Sequence, residues 1–119
     1  MTGATNNSDT AVLFITSDKL GEGADELSQL LMGKFIYSLA NVDDLPQTIL
    51  FMNSGVKLCT EGSEVIDDLK SLQENGVELL ACGTCLDYYQ LNDSLKIGEV
   101  TNMYDVVEHL TESAKVITV

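Results

Sequence analysis

The sequence predicts an α/β fold built on a mainly parallel sheet of about five strands. Two patterns support this fold class: short apolar segments of strand length, and longer segments between them in which apolar residues recur at helical spacing. Strands that alternate with helices form βαβ units, and their crossovers cover both faces of a parallel sheet. The chain has 119 residues, of which 45% are hydrophobic, so it can bury one core of ordinary size.

The first half of the chain contains two predicted strands and one helix. Ala11–Thr16 is apolar and β-branched, which indicates a strand buried on both faces. A helix is expected over Ala24–Ala40, and Thr48–Met52 is the second strand. The apolar positions of the helix that are expected to face the core are Leu27, Leu30, Leu31, Phe35 and Leu39.

The second half repeats the alternation. A helix follows Ser63 and ends at Asn75-Gly76, a sequence typical of a left-handed helix end. The later elements are a strand over Val77–Ala81, a short helical turn over Leu86–Gln90, a short strand or extended loop over Lys96–Val100, a helix over Met103–Leu110 capped by Thr101 or Asn102, and a closing strand over Lys115–Val119.

Composition excludes several classes of function. Nineteen acidic and six basic residues give a formal charge of −13, which disfavours nucleic acid and anionic membranes as partners. Residues 1–10 are polar and lack the features of a secretory signal, so we expect a disordered tail or linker remnant there, a domain over 11–119 and a cytoplasmic location. No apolar segment is long enough to span a bilayer.

Cys82-Gly83-Thr84-Cys85 is the strongest chemical signal in the sequence. It directly follows a predicted buried strand, where backbone amides of a following helical turn converge on the sulfur and stabilise a thiolate. Gly83 permits close backbone approach, and Thr84 offers a hydroxyl donor. The spacing allows a disulfide, or allows one cysteine to resolve a persulfide on the other. Two buried small residues behind a strand are the structural alternative.

Other loops are expected at the same edge of the sheet. Right-handed crossovers place the loops at residues 18–23, 53–59 and 82–89 near one another. The sequence Asn53-Ser54-Gly55 is typical of a turn. Its amides or side chains could donate hydrogen bonds to a sulfur anion, or it could be an ordinary turn. Gly21-Glu22-Gly23 is interpreted as a tight turn, since it matches no phosphate-binding motif. No cofactor is expected.

A zinc site is the first competing interpretation of the cysteines. Cys59 and His109 complete a Cys₃His set with the CxxC pair. Structural zinc sites draw on two close pairs, whereas Cys59 has no cysteine nearby and His109 lies late on a helix that should project away from the loops. No metal site is therefore expected, and Cys59 is either a third thiol near the pair or a buried loop residue.

Several segments resemble a known family. Phe51–Leu58, Glu61–Val65, Ala81–Tyr89 and Gly98–Tyr104 are similar to the C-terminal domain of YedF-type selenium-metabolism proteins, within the DsrE/DsrF-like sulfur-relay family. The similarity extends from about Val12 to Val119, and the stretch CGTCLDYY at Cys82–Tyr89 is its most specific part. YedF proteins also carry a preceding TusA/SirA-like domain, which this sequence lacks.

The resemblance implies a three-layer DsrE-like fold and a persulfide-carrying cysteine after the third strand, matched here by Cys82. It also implies a homo-oligomer and a donor or acceptor of sulfur or selenium, for which a TusA/SirA-like protein is a candidate. The function predicted is a sulfur (or selenium) carrier or sulfurtransferase-like domain, in which Cys85 resolves the intermediate and residues 53–55 shape the pocket. A dithiol redox protein and a non-catalytic, oligomeric interaction domain are the alternatives.

Overall fold

The computed structural model describes residues 11–119, and the predicted tail at residues 1–10 lies outside the described part. Five strands and four α-helices alternate along the chain. In chain order they are β1 (Ala11–Ile15), α1 (Asp25–Leu39), β2 (Thr48–Phe51), α2 (Ile66–Glu74), β3 (Glu78–Cys82), α3 (Gly83–Tyr88), β4 (Glu99–Thr101), α4 (Met103–Glu112) and β5 (Lys115–Thr118). Short 3₁₀ helices span Asn53–Cys59 and Asn92–Ser94.

The five strands form one sheet in the order β4-β3-β2-β1-β5, and each of its strand pairs is parallel. The chain therefore steps three times in one direction and then crosses back to place β5 beside β1. Because the crossovers are right-handed, the helices of the first three steps lie on one face of the sheet and α4 lies on the other. The result is the three-layer α/β fold that the sequence and the resemblance predicted.

Two apolar clusters fill the space on the two faces. The larger one joins strand residues such as Ile15 and Phe51 to Ile36 of α1 and Leu69 of α2. The smaller cluster consists of Val12, Leu50, Leu80 and Val106, so α4 covers the second face. Both faces of the central strands are thus buried, which explains their continuous apolar sequences.

The predicted buried stripe of α1 is wrong in part. Leu27, Leu30 and Leu31 are 52%, 56% and 39% exposed, whereas Met32 and Ile36 are buried. Phe35 and Leu39, the other members of the predicted stripe, are partly buried and pack against the larger cluster. Apolar residues occur all around α1, so periodicity could not select the side that meets the sheet.

The remaining expectations differ only in detail. The uncertain segment near Lys96 contains β4, which begins later than expected, at Glu99. Asn102, rather than Thr101, caps α4, because its side-chain oxygen accepts a hydrogen bond of 2.9 Å from the Asp105 amide. Gly76 has the predicted left-handed conformation, with φ of 95°. Within residues 11–119, no helix has both the length and the apolar character that crossing a bilayer requires.

Candidate functional site

The three loops predicted to meet do meet at the carboxyl edge of the sheet. The amide of Asp18, after β1, donates to Ser54 Oγ at 3.2 Å. The amide of Asn53, after β2, donates to Cys85 Sγ at 3.1 Å. The loop after β2 is therefore hydrogen-bonded both to the loop after β1, 36 residues away in sequence, and to the CxxC segment, 32 residues away.

Cys82 ends β3 and precedes the first turn of α3. Its backbone is extended, with φ of −64° and ψ of 122°, and the residue is only 2% exposed. Gly83 follows it in a crowded position, since a Cβ there would lie 3.0 Å from Val100 Cγ1. The side chain of Cys82 belongs to the larger apolar cluster, which accounts for its burial.

Cys85 lies in the first turn of α3 and is partly exposed. Burial raises the pKa of its thiol above the ordinary value of 9.0, and a hydrogen bond with the Cys82 side chain acts in the same direction. The Asn53 amide lowers the pKa of Cys85, and the nearby charge of Cys82 raises it. At neutral pH Cys85 is therefore a thiol, and the neighbouring Asn53 amide can stabilise the thiolate when it forms.

Asn53 and Gly55 are held in place by the backbone. Asn53 has φ of 52°, a left-handed conformation that Asn adopts more readily than most residues. A Cβ on Gly55 would lie 2.6 Å from the carbonyl oxygen of Ile15, so only glycine fits against β1 at this position. These two residues fix the start of the 3₁₀ helix, and with it the direction of the Asn53 amide.

Ser54 and Thr84 are two further residues of the predicted pocket. Ser54 uses its hydroxyl on the loop after β1, where it also contacts Ser17 Oγ at 3.5 Å. Thr84 is exposed on the surface of α3. The structure thus joins Asn53, Cys82 and Cys85 directly, and gives Ser54 a role in holding the loops together.

Cys59 and His109 do not complete a metal site with the pair. Cys59 is fully buried, and burial raises the pKa of its thiol far above the ordinary value. His109 lies 3.9 Å from a carboxylate oxygen of Glu78, at the opposite end of β3 from Cys82. Within residues 11–119, no group of three or more His, Cys, Asp or Glu side chains is arranged to hold a metal ion.

A cavity next to the cysteine loop was not predicted from the sequence. Its volume is about 560 Å³, and its lining includes Asp18, Lys57 and Tyr89. The Lys57 ammonium lies 4.6 Å from the centre of the Tyr89 ring, in a cation–π contact. Tyr88 packs edge-on against Tyr89 and is 80% exposed. Lys57 stands close to the predicted turn at residues 53–55, but nothing in the sequence pairs it with Tyr89.

Comparison with protein families gives a match over nearly the whole described chain. The DsrE/DsrF-like family model matches residues 12–119. Comparison with curated protein sequences gave no match.

Solved structures share the fold at low sequence identity. MTH1491 from Methanobacterium thermoautotrophicum, described as a protein of unknown function, is 23% identical with a TM-score of 0.66, over 92% of this chain and 97% of its own. The ychN protein from E. coli is 16% identical with a TM-score of 0.65, over 92% and 98%. BT1422 from Bacteroides thetaiotaomicron, a conserved protein of unknown function, is 12% identical with a TM-score of 0.63, over 95% and 97%.

Proposed function

The chain belongs to the DsrE/DsrF-like family, and we propose that it is a sulfur carrier whose Cys82–Cys85 pair holds a persulfide. Family membership points to a sulfur-relay type of function. The observation that supports this particular site is the hydrogen bond from the Asn53 amide to Cys85 Sγ. That donor favours the charged form of a sulfur atom, which is the nucleophile in thiol exchange.

The difference in solvent exposure between Cys82 and Cys85 supports different roles for the two thiols. The sequence assigned the carried sulfur to Cys82 and the resolving role to Cys85. Cys82 is 2% exposed, whereas Cys85 is partly exposed, so a bulky donor reaches Cys85 first. We therefore propose that Cys85 receives the sulfur and that Cys82 is the resolving thiol.

The loading step needs no external oxidant or reductant. The Cys85 thiolate attacks the terminal sulfur of a donor persulfide, the S–S bond of the donor breaks, and the donor sulfur leaves as a thiolate that takes up a proton. Cys85 then carries the S–SH group. Because its pKa is raised, loading is expected to accelerate as the pH increases.

Two routes unload the persulfide. An acceptor thiolate can attack the terminal sulfur, which returns Cys85 to the thiol and completes a relay. Alternatively, the Cys82 thiolate attacks Cys85 Sγ, so that a Cys82–Cys85 disulfide forms and hydrosulfide leaves. The hydrogen bond between the two side chains places them close enough for this second route.

The partner and the chalcogen follow from the resemblance to YedF-type proteins. We propose that a TusA/SirA-like protein donates or accepts the sulfur, and that selenium is the alternative cargo. Replacing cysteine by selenocysteine as the substrate of the loading desulfurase makes the donor a protein-bound S–SeH group, and mass analysis of the adduct then distinguishes the two cargoes. A selenium adduct that is lost in the same cysteine variant as the sulfur adduct would support one site for both.

The test of the carrier function is loading by a cysteine desulfurase. The reduced protein is incubated with the desulfurase and cysteine, and intact and peptide masses are recorded. We expect a reducible gain of one sulfur on the peptide containing Cys85, lost in Cys85→Ser and retained in Cys82→Ser. Cys59→Ala is the matched control, because the Cys59 thiol is fully buried, a donor protein cannot reach it, and its loss should leave loading intact.

Each alternative result has a distinct meaning. An adduct that is lost in Cys82→Ser but kept in Cys85→Ser would restore the assignment made from the sequence. No adduct on the wild-type protein, with both thiols slow to alkylate, would refute the carrier proposal and favour a non-catalytic interaction domain.

A dithiol–disulfide function is the second candidate, and the contact between the two thiols favours it. Under mild oxidation it predicts a loss of two hydrogens from the protein mass without any gain of sulfur. A working redox couple also requires a potential near that of its surroundings. A disulfide that forms reversibly in glutathione buffers, in a protein that does not accept sulfur from the desulfurase, would support this function over the carrier.

A further inference from the structure

The cavity that Lys57 and Tyr89 line has an apolar floor and a polar rim. The floor includes Met32, Leu58 and Val65, which are 1%, 8% and 5% exposed. The cavity volume of about 560 Å³ lies within the range of roughly 300–1,000 Å³ that is typical of small-molecule sites. The sulfur chemistry proposed for the cysteine pair makes no use of this cavity.

Gly33 lines the same cavity from the interior of α1. Apart from its chain neighbours and the backbone of its own helix, no heavy atom lies within 4 Å of the place where its Cβ would stand. A glycine inside a helix is less favourable than alanine, and no contact among residues 11–119 requires one at this position. The absence of a side chain leaves this part of the cavity open to a bound molecule.

The rim of the cavity carries both signs of charge. Lys57 provides an ammonium group, and carboxylates come from Asp18, Glu61 and Glu64. Within residues 11–119, Lys57 forms no ion pair, and its ammonium lies over the ring of Tyr89 instead. A simple anion would be repelled by the carboxylates, and a simple cation would leave the ammonium unpaired. A zwitterion has a partner for each of its two charges.

The cavity lies within reach of the Cys85 sulfur. Lys57 follows Asn53 by four residues, and Tyr89 follows Cys85 by four. Because Asn53 contacts Cys85 and Lys57 contacts Tyr89, the two helical segments run side by side in the same direction. Four residues span about 6 Å in an α-helix and about 8 Å in a 3₁₀ helix. A dipeptide extends over about 7 Å, so it can bind in the cavity and present a side chain to Cys85.

We propose that this cavity binds a short zwitterionic peptide that carries a thiol, and that this thiol accepts the sulfur from Cys85. The proposal rests on the carrier function. The ammonium of the peptide pairs with the rim carboxylates, and its carboxylate pairs with Lys57. The peptide thiolate attacks the terminal sulfur of the Cys85 persulfide, and the S–S bond breaks. Cys85 leaves as a thiolate that takes up a proton, and the peptide departs as a persulfide.

Binding is measured first, on the reduced full-length protein without carried sulfur. Serylglycine has both terminal charges but no thiol, so its binding, measured by isothermal titration calorimetry, does not depend on sulfur transfer. We expect binding that weakens by about fivefold or more in Lys57→Gln, and equally when the ammonium of the peptide is acetylated. Lys70→Gln is the matched control, because Lys70 is exposed on α2 and does not line the cavity. No binding of serylglycine, or an equal loss in Lys70→Gln, overturns the proposal.

Gly33→Leu tests the cavity without removing a charge. The new side chain should occupy part of the space that the peptide needs and weaken serylglycine binding by about tenfold or more. The urea midpoint of unfolding should not fall, because leucine favours a helix more than glycine does. Gly33→Ala, which adds only a methyl group, should weaken binding less. Binding of wild-type strength in a folded Gly33→Leu protein overturns the proposal.

Transfer is then followed from protein that the desulfurase has loaded with sulfur. Cysteinylglycine supplies the same charges together with a thiol, and mercaptoethanol is an uncharged thiol for comparison. The rate at which cysteinylglycine removes the sulfur should saturate as its concentration increases, and Lys57→Gln should slow it at low concentration. The rate with mercaptoethanol should stay proportional to its concentration and be the same in both proteins. Equal cysteinylglycine rates in the wild type and Lys57→Gln would refute the acceptor site.

Failure of this proposal is distinguishable from failure of the carrier function. If the desulfurase places no sulfur on the wild type, the carrier function and the acceptor role are both refuted, even where serylglycine binds. If the wild type is loaded but serylglycine does not bind, the cavity proposal is refuted and the carrier function stands.

Discussion

Replacing Gly55 by alanine tests whether the 3₁₀ helix is held as tightly against β1 as the structure indicates. The added Cβ would lie 2.6 Å from the carbonyl oxygen of Ile15 and 3.3 Å from the amide nitrogen of Ser17. Both are backbone atoms at the carboxyl end of a central strand, so neither can rotate away. Carbon atoms that pack well lie about 3.5–4.0 Å from their neighbours.

The expected cost follows from that overlap. Relief requires the segment from Asn53 to move away from β1 by roughly 1 Å, and overpacking of this kind costs about 1–3 kcal/mol. The free energy of unfolding should fall by that amount. With a urea dependence of about 1–3 kcal/mol per molar for a small domain, the midpoint of unfolding should decrease by about 1 M.

Urea unfolding at fixed protein concentration measures the change. Gly23→Ala is the control, because no heavy atom beyond its two chain neighbours lies within 4 Å of its Cβ position and its φ is not in the left-handed region. That variant should match the wild type or be slightly more stable, since alanine reduces the entropy of the unfolded chain. A Gly55→Ala protein with a wild-type midpoint would refute the tight contact and, with it, the fixed direction of the Asn53 amide.

Further predictions concern the cysteines and a helix cap. Alkylation of Cys85 should accelerate with pH and reach no plateau below about 9, because burial raises the pKa of its thiol above 9.0; a plateau near neutral pH would contradict this. Cys82→Ala removes the hydrogen bond and the charge of Cys82, both of which raise the pKa of Cys85. At about pH 8, Cys85 should therefore be alkylated faster in this variant than in the wild type. A slower reaction would contradict the effect of Cys82 on the pKa of Cys85. Burial raises the pKa of the Cys59 thiol above its unfolded value of 9.0, so the stability present below pH 9 is lost as the pH rises. Between about pH 9 and about pH 10, the unfolding free energy of the wild type should fall by about 1 kcal/mol more than that of Cys59→Ala. Parallel curves of unfolding free energy against pH for the two proteins would exclude the effect. Asn102→Ala removes the cap on the Asp105 amide and should lower the unfolding free energy by about 1 kcal/mol, whereas Asn102→Asp should retain most of it, as measured by urea unfolding.

The predicted elements were confirmed where a local pattern is unambiguous. The strands over Ala11–Ile15 and Thr48–Phe51 are apolar on both faces, and only a central strand of a covered sheet requires that. The left-handed Gly76 was likewise evident, because Asn-Gly after an apolar helix is a strong local signal. Such features depend on residues close together in the chain, so the sequence carries them.

Local patterns failed at α1 and at the finer geometry of the site. Leu27 and Leu30 fit a buried stripe as well as Met32 and Ile36 do, and only packing against the sheet selected the latter pair. The spacing of Cys82 and Cys85 was evident, but the much deeper burial of Cys82 depends on the strands beside it. Exposure is a property of the assembled chain, not of the CxxC spacing.

The sequence by itself determined the alternating α/β order and the position of the cysteine pair at the end of the third strand. These follow from side-chain periodicity and from right-handed crossovers, which act over short stretches of chain. Only the tertiary structure decided that the Asn53 amide meets Cys85, that Lys57 and Tyr89 line one cavity, and that Cys59 is fully buried. Each of these depends on contacts between residues far apart in the chain, whose distances no local pattern specifies.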